Sequence, residues 1–453
     1  MNHPISPLDG RYRATLEPLA AYFSEAALMR SRCLVELRFL EALGRTGRFP
    51  ALTAAEQERV AQAAGSFTDA DFDRIKEIER STRHDVKACE LYLIERLQLR
   101  EPWLVHFGLT SEDTNNLAYS LLVRAYRDEQ QLPLVRQLLR ALVADVRAWS
   151  AVPFPTRTHG QPASPSTAGK ELAVFVARLL RQYRQLRDLD FRGKLSGATG
   201  TYAAFMAAVP DYDWVAFSRD FVTSLGLQHN AVTTQIEDHD TWSEYFAVVQ
   251  RVAAIVLDLD LDMWEYISRG FFVQRARPGD IGSSTMPHKV NPINFENSEG
   301  NLVLGLALLG TMAQRFGHSR MQRDLSDSTI ERNIGVALGH VHLALTETLR
   351  GLERIDLAAA ACRAQLDASP ELLAEPFQVI LKYAGVHDAY DRLKALTRGT
   401  EVSREQLDRL ARESTDDPAV QRRLLGLTAP AYVGAAERLC QQVVDEALAE
   451  IGP

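Results

Sequence analysis

The strongest constraint on the fold is a seam of apolar residues at Tyr245, Val249, Val252, Val256, Leu259 and Met263, whose spacings alternate between four and three. That repeat keeps one face of a single α-helix apolar over many turns and suits a neighbour packed at a shallow angle. Leu172, Phe175, Val176, Leu179, Tyr183 and Leu186 trace a second helical stripe. Leu134, Leu138, Leu142 and Val146 trace a third, with Pro133 in the first turn, where its missing N–H is tolerated. A fourth helix is expected over 299–316 with Ser298 as N-cap, and a fifth over 335–352. Alternating runs of β-branched residues are scarce, so any sheet is small. Helices of about 20 residues are long for a globular protein and point to an elongated all-α bundle. A length of 453 residues favours about three domains, with boundaries near 110–113 and 351–356.

Ala, Leu and Val recur on more than one side of the segment 302–313. A helix apolar on most sides must be buried on most sides. Either other helices of the same chain surround it, or identical chains associate through it, and the sequence leaves both open. Fifty-nine acids against 51 bases give a net charge of −8, which argues against a nonspecific nucleic-acid binder. Cys33, Cys89, Cys362 and Cys440 are scattered without C-x-x-C spacing, so neither a zinc ribbon nor a thioredoxin-like motif is present. The opening MNHPISPLDGRY is polar, and the longest apolar run without charge, near 302–313, is too short for a bilayer. The expectation is a cytoplasmic chain with reduced thiols and no membrane span. P-loop, H-E-x-x-H, EF-hand and G-x-S-x-G patterns are absent, so no nucleotide cofactor or metal is expected. His340 and His342, two apart on a predicted helix, point to different faces and read as ordinary core or surface residues.

The polar stretches between helices are more informative. Pro153–Thr167 holds four prolines and precedes a helix expected to begin near Ala168. Arg277–Asn291 is rich in Gly, Ser and Pro and is long enough for a lid or functional loop. A third polar segment runs from Arg320 to Asn333. Within the second, Gly282 permits close backbone approach, Lys289 supplies a point charge, and Asn291 both donates and accepts. That set suits a small carboxylate. By residue type alone a solvated linker fits equally well.

The run Gly282-Ser283-Ser284-Thr285-Met286-Pro287-His288-Lys289-Val290-Asn291-Pro292 resembles the signature loop of the fumarase/aspartase superfamily, lyases that release fumarate by β-elimination. HFGLTSEDTNN (His106–Asn116) resembles that superfamily's first shared region and TRTHGQPASPSTAGKE (Thr156–Glu171) its second. The second segment, IERSTRHDVKA (Ile78–Ala88), DGRY (Asp9–Tyr12), TTQIE (Thr233–Glu237) and RDLSDSTIERN (Arg323–Asn333) look like the adenylosuccinate lyase branch in its bacterial form. The resemblance covers essentially the whole chain. One departure is Arg83, where bacterial relatives often carry Asn.

The resemblance implies three mostly helical domains, at 1–111, 112–352 and 353–453, with the signature loop at 277–291 inside the central long-helix bundle. It implies a homotetramer with a 20-helix core, whose sites each borrow residues from three chains. The substrates would be adenylosuccinate, giving AMP, and SAICAR, giving AICAR, each with fumarate, and no metal or organic cofactor is required. Elimination needs a base for a weakly acidic C–H, an acid for the departing nitrogen, and donors for the charge that builds on the carboxylate. By resemblance Ser283 is the base, supported by loop N–H groups and Lys289. His159 is the acid, paired with Glu296, and His84 is a competing acid or a substrate ligand. Lys289, Asn291, Thr110, Ser111 and Ser284 would hold the succinyl carboxylates, with Gln235 and Asn297 at the same end. Arg11, Tyr12, Arg323, Ser328 and Arg332 would meet phosphate and ribose. Arg83, Asp85, Val290, Thr329, Ile330 and Glu331 complete the implied substrate contacts. Carboxymuconate cycloisomerases share the M-P-H-K loop and are the nearest rival. A noncatalytic helical scaffold is a rival of another class.

Overall fold

The computed structural model describes residues 3–275, 286, 289–397 and 402–452. Across them the regular structure is overwhelmingly helical, as expected. Helix α1 (Glu25–Arg45) starts where Ser24 Oγ accepts the Ala27 N–H at 3.1 Å. Helix α2 (Asp69–Thr82) opens on a reciprocal Thr68–Asp71 cap and leads through Arg83 into α3 (Asp85–Leu97). Helix α4 (Ser111–Tyr126) continues through a π-helical turn, Arg127–Gln131, into α5 (Leu132–Trp149). Pro133 sits in the first turn of α5. It lacks an N–H and crowds the carbonyl four residues back, which is why the helix widens just ahead of it.

Two nested two-stranded ladders follow. β1 (Pro153–Phe154) pairs antiparallel with β4 (Ser166–Thr167), and between them β2 (Arg157–Thr158) pairs antiparallel with β3 (Gln161–Pro162). Helix α6 (Ala168–Asp188) begins where the sequence places it. Helix α7 (Asp240–Ser268) runs for 29 residues, and all six seam residues from Tyr245 to Met263 are buried. Helices α8 (Ile293–Arg315), α9 (Ser326–Glu331), α10 (Ile334–Leu352) and α11 (Ala374–Tyr383) follow.

One expectation is corrected. Helix α8 starts at Ile293, directly after Pro292, so Ser298 is an interior residue and not a cap. Its hydroxyl is buried and lies 2.8 Å from Thr348 Oγ1 of α10. The proline marks the boundary, because its ring cannot continue a helix backwards.

Contacts divide the chain into two compact units, Met1–Val135 with Gln182–Ala254 and Gly300–Leu345, and Arg136–Arg181 with Ile255–Glu299 and Thr346–Pro453. In the first, Met29, Cys33, Leu37 and Leu40 of α1 pack with Val60, Ile75, Cys89 and Leu93. In the second, Leu366, Phe377, Leu381, Leu407 and Leu424 form a core. Val303 and Leu304 on α8 are 55% and 54% exposed, so this chain alone leaves that apolar surface uncovered. His340 and His342 are buried and bonded to Asn301 and Tyr126, an ordinary structural use. All four cysteines are free and buried. Among the described residues no helix is long and apolar enough to cross a membrane, and no group of His, Cys, Asp and Glu is arranged to hold a metal ion.

Candidate active site

The start of α4 is unusual in being polar and buried, from Glu112 through Asn116. Asp113 explains much of it. Its carboxylate lies 2.8 Å from Lys194 Nζ, with both side chains fully buried. It also accepts the backbone N–H groups of Thr110, Ser196 and Gly197 at 2.9, 2.9 and 3.2 Å. A buried ion pair is tolerated when further hydrogen bonds fill the remaining lone pairs, as here. The result clamps the first turn of α4, and with it Thr110 and Ser111, to the 194–197 loop.

Beside that turn lies a cavity of about 310 Å³. Arg83, His84 and Asp85 reach it from the α2–α3 junction, Ser111, Asn115 and Tyr119 from α4, and Arg323, Ser328, Glu331 and Arg332 from the α9 region. Arg83 adopts φ 53°, in the left-handed region that Asn enters more readily than Arg. His84 caps α3, its Nδ1 accepting the Lys87 N–H at 3.2 Å. Asp85 Oδ2 lies 3.0 Å from Arg32 Nη1 and 3.2 Å from Arg332 Nη2. Burial works against the Asp85 charge, but Arg32, the Val86 N–H and Arg332 outweigh it and hold the carboxyl below the usual carboxylate range.

Arg323 meets Glu112 at 3.1 Å and donates to Gln235 Oε1 at 3.3 Å and Ser328 Oγ at 3.5 Å. Its Nε is buried with no hydrogen-bond partner among the described residues. Burial, with Glu112 and Asp327 adjoining, pushes Glu331 well above the usual carboxylate range despite Arg323 and Arg32. The cavity thus combines four arginines, Arg32, Arg83, Arg323 and Arg332, with an acid held above its usual range, a histidine and hydroxyls, which suits a phosphorylated, hydroxylated ligand. A smaller cavity of about 210 Å³ shares Arg32, Asp85, Tyr119, Glu331 and Arg332 and adds an apolar lining from Tyr22, Phe23, Leu28, Leu122 and Val123.

The remaining expected site residues fall elsewhere. Arg11 is exposed, its guanidinium 5.9 Å from the Tyr12 ring centroid. Thr329 and Ile330 lie on α9 but do not line the cavity. In the second unit, His159 is exposed at the tip of the β2–β3 hairpin and makes no hydrogen bond among the described residues. Glu296 is exposed on α8 and accepts from Trp264 Nε1 at 3.1 Å, so within one chain it does not meet His159. Lys289 bonds through its N–H to Met286 O at 3.1 Å, and Val290 O accepts from Gln274 at 2.9 Å. Asn291 precedes α8 and Asn297 lies in its second turn. Ser283 and Ser284 lie outside the described residues.

The sequence reading missed Arg32, Glu112, Asn115 and Tyr119. Three of these sit in α4; Asn115 and Tyr119, four and eight residues after Ser111, share its face, and Glu112 and Asn115 lie inside the quoted motif. Arg32 is 3% exposed and donates through Nε to Asn115 Oδ1 at 2.9 Å. Its only trace in the sequence is a charge inside the apolar run of α1.

Comparison with known proteins identifies the family. A family model described as lyase matches residues 10–305, and one described as adenylosuccinate lyase C-terminal matches 319–433. The chain is 44% identical over 448 residues to an adenylosuccinate lyase of Haemophilus influenzae, covering 97% of this chain and 98% of that one. It is 43% identical over 440 residues to the adenylosuccinate lyase of Escherichia coli K12, covering 95% and 96%. Among solved structures, a fumarate lyase from Mesorhizobium superposes with TM-score 0.77 at 20% identity, covering 95% of this chain and 97% of that one. A 3-carboxy-cis,cis-muconate lactonizing enzyme from Pseudomonas putida superposes with TM-score 0.73 at 22% identity, covering 96% and 97%. At those identities the two structures speak for the fold alone.

Proposed function

The chain belongs to the adenylosuccinate lyase family of the fumarase/aspartase superfamily, and on that premise we propose how it splits adenylosuccinate into AMP and fumarate, and SAICAR into AICAR and fumarate. The observation that carries the reading is that one cavity gathers Arg83, His84, Asp85, Ser111, Arg323, Ser328, Glu331 and Arg332 from three separate family motifs.

The base removes a proton from the succinyl carbon next to a carboxylate. The electron pair left behind forms the double bond of fumarate as the C–N bond breaks. The departing nitrogen takes a proton from the acid. Negative charge builds on the carboxylate during proton removal, so fixed donors there lower the barrier. Ser283 is assigned as base, with Lys289 and loop N–H groups stabilising its alkoxide. Thr110, Ser111, Ser284, Asn291, Asn297 and Gln235 are assigned to the succinyl end. Arg323 and Arg332, with Ser328, Arg11 and Tyr12, are assigned to phosphate and ribose.

His159 is assigned as the acid and Glu296 as the group that orients it. Both are exposed in the single chain, which supports a pairing made across a subunit boundary. His84 uses its Nδ1 lone pair to cap α3, leaving Nε2 for a ligand, and this supports a substrate-holding role. A homotetramer with a 20-helix core and shared sites, and a cytoplasmic setting, complete the proposal. The exposed Val303 and Leu304 on α8 support the association. Three domains, 1–111, 112–352 and 353–453, belong to the same proposal.

Mixing tests it. Ser283→Ala and His159→Ala chains, each inactive alone, should recover part of the adenylosuccinate-cleaving activity when co-assembled, because some hybrid sites receive both intact residues. Hybrid tetramers that form and stay inactive would argue against shared sites.

A further inference from the structure

We propose that Glu375, acting through Ser164, is a positioning residue for His159; this deepens the reading of His159 as the acid and rests on it. His159 and Gly160 form the two-residue turn between β2 and β3, with φ of 53° and 73°. Positive φ at both positions is the tight hairpin turn that matches strand twist. The ladder below it has two rungs, Arg157↔Pro162 and Thr158↔Gln161, and these four residues are exposed. So short and wet a hairpin does not hold a fixed direction by itself.

Its base is firm. β1 and β4 pair Pro153 with Thr167 and Phe154 with Ser166. Phe154 is 1% exposed and packs on Tyr266, Phe271 and Phe272, with ring centroids 5.0, 5.5 and 6.1 Å away. Between base and tip, the Ala163 N–H donates to Thr156 O at 3.1 Å and Thr156 Oγ1 donates to Ser164 O at 2.7 Å. Those bonds are internal to the projecting segment. Among the described residues, the hydrogen bond that ties this outer part to another element runs from Ser164 Oγ to the carboxylate of Glu375.

Glu375 is well placed to hold that bond. It lies in the first turn of α11, where the exposed N–H groups favour a carboxylate. Tyr432 lies beside it, and burial together with the adjoining Glu375 charge pushes the Tyr432 phenol up. The tether therefore links a rigid helix end to the hairpin that carries the acid. An acid must come within hydrogen-bond reach of the leaving nitrogen, and a displacement of about 1 Å at such a group costs up to about a hundredfold in rate.

The test uses the full-length chain with adenylosuccinate. Ser164→Ala and Glu375→Ala are each expected to lower kcat about tenfold or more while KM stays within about twofold, because ligand-holding groups are untouched. The double variant should fall no further than the worse single one, since both remove one bond. Ser164→Thr, which keeps the hydroxyl, should retain most of kcat. A role in stability alone would lower the melting temperature and leave kcat per folded site unchanged. His159→Ala is measured beside them. Wild-type kcat in Ser164→Ala and Glu375→Ala, with His159→Ala inactive, overturns the tether and leaves the acid assignment standing. Wild-type kcat in His159→Ala overturns the acid assignment and the tether with it.

Discussion

The Asp85 carboxylate joins the floor of the cavity to its rim, lying 3.0 Å from buried Arg32 and 3.2 Å from exposed Arg332. Arg32 has no other carboxylate within ion-pair distance among the described residues. Asp85→Asn would leave that guanidinium buried without its counter-charge and release Arg332 from its fixed direction. We expect KM for adenylosuccinate to rise at least about tenfold and stability to fall by about 1–3 kcal/mol. Steady-state kinetics and denaturant unfolding read the two effects. An unchanged KM would separate Arg332 from substrate binding.

Asp260 of α7 accepts from Thr348 Oγ1 at 2.9 Å and is 1% exposed. Burial pushes its carboxyl well above the usual range, more than Ser298 and Thr348 pull it back. Below about pH 3.9 the group is protonated folded and unfolded alike and favours neither state. Above that the unfolded chain ionises it and the folded chain does not, so stability is lost at about 1.4 kcal/mol per pH unit until the folded-state pKa is reached. Asp260→Asn keeps the acceptor oxygen and removes the ionisation. Its melting temperature should exceed the wild-type value, and by more at pH 8 than at pH 5. An equal or lower melting temperature at pH 8 would contradict the upward shift at Asp260.

Gly200 and Gly47 have similar left-handed backbones, φ 75° and 69°, in different surroundings. A Cβ on Gly200 would stand 2.0 Å from Thr233 O, whereas one on Gly47 would meet nothing within 4 Å. Backbone strain is common to both, and only Gly200 adds a backbone clash. Gly47→Ala should cost about 1 kcal/mol and Gly200→Ala clearly more, about 2 kcal/mol or above. The Gly200 change should also weaken adenylosuccinate binding, because Thr233 lies two residues from Gln235, the partner of Arg323. Equal losses at the two glycines would show that the 233–235 segment yields.

Much of the fold was legible because helices write themselves locally. The α7 seam needs only the spacing of Tyr245 through Met263 in one chain, and all six residues are buried. The start of α8 was misread because a serine inside a helix looks like a serine ahead of one, while Pro292 carried the real boundary. The cavity is a different matter. Arg332 and Asp85 stand 247 residues apart, and no periodicity links them. Family motifs pointed to both, whereas Arg32 lay in no motif and its partners Asp85 and Asn115 are remote in sequence. Arg83, marked as a departure, turned out to occupy the left-handed position at the end of α2, where a backbone preference accounts for the usual Asn. The proposed pairing of His159 with Glu296 has no intrachain geometry, since within one chain His159 is exposed and Glu296 accepts from Trp264.

The central step is the elimination itself. Purified, folded and assembled wild-type protein, given adenylosuccinate, should consume it and release AMP and fumarate in equal amounts, followed by the change in purine absorbance and by separate quantification of both products. Adenylosuccinate left whole by that preparation would contradict it.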